Sequence, residues 1–189
     1  MEKPIGEKWN DGRIHCVYAG TFDPRKGGVA AAAAAAQFLN SNYHIHIIGF
    51  GSENDKKLLI NTIEEVQKKS DCIVTYDGLF SGDEYIRFIQ SCDIGLSTQN
   101  PEAQFNDTSF PSKVLSYLAN GLRVISIRIK ALETSAVNDL LYYYNKNDSK
   151  AIAQAIKSID MSKSYDSRTK IEELDEQFKK DIKQMIEDL

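Results

Sequence analysis

Cysteine is scarce in this 189-residue chain: Cys16, Cys72 and Cys92 are its only three, odd in number, far apart, and without the paired spacing of a zinc or redox motif. That excludes a disulfide-stapled scaffold and predicts three buried, reduced thiols, as in a cytoplasmic protein. Long apolar runs are missing too. The most apolar stretch, residues 29–39, is mostly alanine and falls far short of the ~20 residues that cross a bilayer. Neither sign of charge forms a block. The 23 basic and 27 acidic residues are interspersed at a formal net charge of −4, so there is no nucleic-acid footprint and any anion site is local. Residues 1–12 have no apolar core that would serve as a signal peptide; they mix both charge signs with Pro4, Gly6 and Gly12 and read as a leader or linker.

What is present is the composition of a folded domain, 42% apolar and 26% charged, in a length that suits one core rather than two. Short β-rich runs at 14–19, 44–48, 72–76, 93–97, 122–127 and 141–144 alternate with helical patterns at 28–40, 53–69, 82–91, 111–120 and 149–159. The alternation predicts an α/β fold, a doubly wound parallel sheet of about six strands. In such sheets ligands sit outside the carboxyl ends of the strands. The alanines at 30–36 read as a smooth helix face for close packing on the sheet. Beyond residue 160, Ile171, Leu174, Phe178, Ile182, Met185, Ile186 and Leu189 recur at three/four spacing, which predicts a long amphipathic carboxy-terminal helix over 161–189 whose stripe must pack on something. In a lone domain the stripe would close on the sheet's outer helices or drive self-association; in a two-domain protein it would reach the partner.

Four segments carry chemistry at the expected carboxyl edge. Gly20-Thr21-Phe22-Asp23-Pro24-Arg25-Lys26-Gly27-Gly28 leaves the first strand and opens the alanine helix. Its glycines let backbone approach an oxyanion, the helix start offers free N–H groups, and Arg25 and Lys26 add positive charge, a combination suited to a diphosphate. Gly49-Phe50-Gly51 follows the second strand but lacks the third glycine of a dinucleotide fingerprint. Asp77-Gly78-Leu79 follows the third, where a glycine and an apolar side chain would line a base pocket. Phe110-Pro111-Ser112-Lys113 opens the fourth helix, with Pro111 expected as its first residue and Lys113 in its first turn, where an ammonium is disfavoured unless an anion lies beside it. Gly121 is placed to end that helix in a left-handed conformation.

The ordered set Gly20…Lys26-Gly27, Gly49-x-Gly51, Gly78, Cys92-Asp93-Ile94-Gly95-Leu96-Ser97 and Phe110-Pro111-Ser112-Lys113…Tyr117-Leu118-Ala119-x-Gly121-x-x-Val124 resembles the carboxy-terminal domain of the large retaining GT-B glycosyltransferase family. The resemblance covers residues 13 to about 160 and implies one Rossmann-like half of a GT-B fold that binds a nucleotide-sugar donor. By it, Gly20, Arg25, Lys26, Gly27 and Lys113 face the donor diphosphate, and Gly49, Gly51, Gly78, Leu79, Thr108, Ser112 and Ser116 line the nucleotide and sugar. It implies no cofactor. The acceptor-binding domain that precedes this half in the family is expected outside the chain, which by itself would bind a nucleotide without transferring sugar.

The chain departs from the family pattern in two places that bear on catalysis. Many members carry two glutamates eight positions apart around this helix, and here those positions are Thr108 and Ser116, hydroxyls that can bond ribose but not with a carboxylate's charge. Two readings stay open: the donor half of a glycosyltransferase, and a non-catalytic nucleotide or nucleotide-sugar module. No Asp-x-Asp pair is present to hold a divalent ion against a diphosphate, so a metal-independent mechanism is expected. His44 and His46 project from one face of the second strand; without an accompanying Cys, Asp or Glu cluster in the sequence they read as structural histidines.

Overall fold

The computed structural model describes residues 5–23, 28–99, 110–146 and 148–187. Six strands form one all-parallel sheet: β1 (Ile14–Thr21), β2 (Tyr43–Phe50), β3 (Ile73–Gly78), β4 (Ile94–Ser97), β5 (Arg123–Ile127) and β6 (Leu141–Tyr144). Their order across the sheet is β3-β2-β1-β4-β5-β6. The order reverses between β1 and β4, so the switch point, where ligands bind in open α/β sheets, lies at the carboxyl ends of those two strands.

The connections are α1 (Val29–Ala34), continued by a 3-10 turn over Ala35–Phe38, then α2 (Glu53–Gln67), α3 (Gly82–Ser91), α4 (Ser112–Ala119), the one-turn α5 (Lys130–Glu133), α6 (Ser149–Ser158) and the terminal α7 (Ser167–Glu187). Strand register assigns them to faces. Val17 pairs with both His46 and Gly95, so these three share a face; Phe88 of α3 packs edge-on to His46, and Tyr117 of α4 covers Gly95. The neighbouring position, Ile47 beside Tyr76, faces the other way, and there Lys56 of α2 lies over the Tyr76 ring. Helices therefore cover both faces, with Ile45, Ile47, Ile94, Leu96, Val124 and Ile125 wholly buried between them.

Several ends are set by local chemistry. Ser52 and Asp55 form a reciprocal capping box that starts α2, and Asp148 caps α6 through the Ala151 N–H at 2.7 Å. At the end of α4, Gly121 adopts φ +84° while Gly121 N–H bonds Leu118 O and Leu122 N–H bonds Tyr117 O, which is a Schellman closure feeding straight into β5.

Some boundaries differ from the sequence reading. The expected helix at 28–40 is α-helical only to Ala34 and tightens into the 3-10 turn, a common way to end a helix, with Ala32, Ala33, Ala35 and Ala36 fully buried. Pro111 is the residue before α4 and not its first member, which still puts Lys113 in the first turn. β1 and β2 also run two residues further than expected, through Gly20 and Gly49, because the two glycines pair side by side in the sheet instead of leaving it.

Residues 5–12, read as a leader, pack against α3: the Ile5 and Gly6 N–H groups both donate to Gln90 Oε1, and Lys8 pairs with Asp93 at 3.2 Å. Helix α7 begins on α4, where Ser167 donates to Leu118 O and Arg168 to Asn120 O. Ile171 and Leu174 join the core, whereas Phe178, Ile182, Met185 and Ile186 are 40–66% exposed. Leu189 lies outside the described residues. All three cysteines are buried and free. Among the described residues no helix is long and apolar enough to cross a membrane.

Candidate functional site

The carboxyl edge of β1 and β2 is built on missing side chains. Gly49 has φ +133°, and a Cβ on it would lie 1.8 Å from the Gly20 carbonyl oxygen, so only glycine fits. Just beyond β2, a Cβ on Gly51 would fall 2.7 Å from Phe22 Cβ. At the mouth of the alanine helix, a Cβ on Gly28 would meet Thr98 O at 1.9 Å, and Thr98 Oγ1 donates to Gly28 O at 3.1 Å. The first-strand, second-strand and fourth-strand loops thus converge on one edge.

Helix α4 supplies the cation. Its Tyr117 passes over the bare face of Gly95, where a Cβ would be 2.4 Å from the ring, and the phenol oxygen accepts the Ala19 N–H at 2.8 Å. This bond satisfies a β1 amide beyond Cys16 and Val17, the β1 residues paired with β4, and anchors the second turn of α4 over β1. Lys113 then lies against Gly20, its Cε and Nζ 2.6 and 2.7 Å from where a Cβ would stand, with Nζ 3.9 Å from the centre of the Tyr18 ring. Tyr18 is held by its own hydroxyl, which donates to Thr21 O at 2.8 Å. No carboxylate lies within ion-pair distance of Lys113 among the described residues, and burial pulls its ammonium down from the ordinary lysine range to about 8.

The other expected positions are placed as follows. Gly78 ends β3 at φ +98° in open space, and Leu79 beside it is 66% exposed. Ser112 is the exposed first residue of α4. Ser116 lies one turn on, with its hydroxyl 3.4 Å from that of Tyr85 on α3, so it is turned along the helix layer. Arg25, Lys26, Gly27 and Thr108 lie outside the described residues. Sequence reasoning missed Tyr18, whose only signal is an aromatic residue two places before the glycine, and the state of Ser97, whose buried Oγ at the end of β4 has no hydrogen-bond partner among the described residues.

A second polar cluster lies on the face of the sheet that α3 covers, from the amino ends of β1 and β2 to Asp77, the penultimate residue of β3. His15, His44 and His46 come together there, and Asp11 and Asp77 accompany them at 3.0 and 3.1 Å, correcting the expectation of histidines without acidic neighbours. The carboxylates were invisible in the sequence because they arrive from before β1 and from β3. His46 and His15 are buried and His44 is half-buried, and burial together with the neighbouring imidazoles lowers His44 to about 4.

Known proteins share this architecture. The catalytic domain of cholesterol-α-glucosyltransferase from Helicobacter pylori superposes with a TM-score of 0.56 at 12% identity, covering 76% of this chain and 83% of that one. Alr3699/HepE of Anabaena, solved with UDP and glucose, gives 0.66 at 14% identity over 86% of this chain and 44% of its own. The carboxy-terminal domain of a glycosyl transferase group 1 family protein (LpcC) from Francisella tularensis gives 0.57 at 16% identity, over 77% and 73%. At such identities the likeness shows the fold. No curated protein matches the chain by sequence. The model of the family described as glycosyl transferases group 1, however, matches residues 13–159, and the chain belongs to that family.

Proposed function

We propose that this chain is the donor-binding half of a glycosyltransferase, holding a nucleotide-sugar so that its sugar passes to an acceptor bound by a second domain. The observation that carries the reading is Lys113: an ammonium seated on an aromatic ring and a glycine backbone, with no carboxylate beside it among the described residues, at the switch point of a doubly wound sheet. A donor diphosphate supplies the missing counter-charge. Lys26 and Arg25 of the first loop meet the same phosphates, and the backbone around Gly20, Gly27, Gly49 and Gly51 borders the ligand. Gly78 and Leu79 border the base, and Thr108, Ser112 and Ser116 meet ribose and sugar. Transfer proceeds with retention and with lysines and helix N-termini, instead of a metal, neutralising the leaving group. The exposed half of α7 packs on the acceptor domain or, in the isolated chain, on another copy.

UDP bound to the structurally similar Alr3699/HepE makes a uridine nucleotide the first ligand to test. A thermal-shift panel of nucleoside diphosphates checks the reading. A true ligand at 100 times its dissociation constant adds about 2.7 kcal/mol, or roughly 5–10 °C for a domain of this size. A flat panel would reject donor binding.

The second reading, a non-catalytic nucleotide module, draws on Thr108 and Ser116 standing where family glutamates would be, and on Ser116 bonding Tyr85. Binding without turnover, even when the acceptor domain is supplied, would favour it.

A further inference from the structure

The histidine cluster lies apart from the donor edge: His15 precedes Gly20 by five residues of β1, roughly 16 Å along the strand. His44 and His46 are two residues apart on β2 and so share a face, and His15 pairs with His44 on the adjoining β1. The outer nitrogens are committed. His15 Nε2 lies 3.0 Å from Asp11 Oδ1 and His46 Nδ1 lies 3.1 Å from Asp77 Oδ2, where Thr75 also donates to the same carboxylate. With both outer nitrogens donating, the inner nitrogens, His15 Nδ1 and His46 Nε2, each present a lone pair, and they face each other at 2.9 Å. Two buried lone pairs at that distance repel unless a cation lies between them.

We propose that His15, His44 and His46 bind one zinc-like divalent cation, with Asp11 and Asp77 fixing the tautomers of His15 and His46 from behind. Neutral imidazoles backed by carboxylates are the usual surroundings of such an ion, and three histidines with one open position are a common ligand set. One ligand atom from each ring lies within 4.8 Å of the others. Tetrahedral coordination at about 2.0–2.1 Å spaces its ligands about 3.3 Å apart. His15 and His46 therefore open by a few tenths of an ångström, while half-buried His44, stacked on His46 at 3.8 Å, swings inward by roughly 1.5 Å on loading. The ion ties the segment before β1, where Trp9 lies over both inner rings and Asp11 bonds His15, to the amino end of the sheet. The histidines precede Gly20 and Gly49 by three to five residues along β1 and β2, Asp77 adjoins Gly78 at the end of β3, and the ion takes no part in the metal-independent transfer proposed above.

The test uses the full chain, stripped with a chelator and titrated with zinc by calorimetry, then with cobalt as an optical probe. One equivalent should bind in the wild type, and cobalt should give tetrahedral visible bands without the thiolate charge-transfer band that the cysteines would produce. His15→Gln and His46→Gln should weaken binding at least 100-fold. Because both sites are buried, His44→Ala serves as the variant least prone to misfold, with a loss of at least tenfold and an unchanged circular dichroism spectrum. Asp77→Asn should cost about 10–100-fold. A wild type that takes up no zinc at micromolar concentrations would mean that a proton bridges the two imidazoles, and the proposal fails; it fails equally if His44→Ala and His15→Gln bind as the wild type does.

Discussion

A lysine held over an aromatic ring without a counter-ion among the described residues keeps its charge at a cost, and Lys113 is lowered to about 8 by that burial. The unfolded chain holds this proton up to about 10.4, so between these values the native state binds fewer protons and stability rises with pH across the window. A bound diphosphate reverses the preference, since it favours the ammonium. Binding should take up protons near pH 8, and affinity should fall about tenfold between pH 7 and 9 as the protonated fraction drops from near 0.9 to near 0.1. Calorimetry in two buffers of different ionisation enthalpy reads the proton uptake directly. Lys113→Ala should abolish the pH dependence, and an unchanged profile in that variant would remove Lys113 from the site. The lysine itself was legible in the sequence, as a cation misplaced at a helix start. Its seat was not, because Tyr18 and Gly20 reach it only through the register of β1 and the anchoring of α4.

Among the elements, type and order were readable for all six strands, the five helical patterns between them and the carboxy-terminal helix, which carry clear periodicity. The one-turn α5 and the 3-10 turn Asn138–Leu140 were not, being shorter than any period that betrays a helix. Gly20 and Gly49 show why loop boundaries blur. Each resembles a turn glycine locally, but their pairing across β1 and β2 is a long-range fact that serves close backbone approach. Gly49→Ala should cost about 2–4 kcal/mol, from strain at positive φ plus the clash with Gly20 O. Gly78→Ala, which meets only open space, should cost about 1–2 kcal/mol. Urea unfolding of both variants compares them, and equal losses would dismiss the clash.

For the whole molecule, the relevant fact is span: the chain covers 44% of Alr3699/HepE while matching the family model over residues 13–159. On the proposed reading, a donor held by this domain alone would leave its sugar facing water and lose orientation that can be worth roughly 7–11 kcal/mol. The 189 residues alone should therefore release nucleoside diphosphate from any donor only at background rate in a coupled assay, and robust turnover would show a self-sufficient catalyst. The exposed stripe from Phe178 to Ile186 was anticipated by its spacing; which surface covers it was not, because a helix pattern shows that a face is apolar without showing its partner. The most direct test of the donor site is a map of amide shifts in the isotope-labelled chain as UDP is added. Changes should centre on Gly20, Thr21, Gly49, Gly51, Ser112 and Lys113 and spare Trp9, His15 and His44 at the opposite edge. Shifts confined to that opposite edge, or none at millimolar nucleotide, would contradict a donor site at the carboxyl ends of the strands.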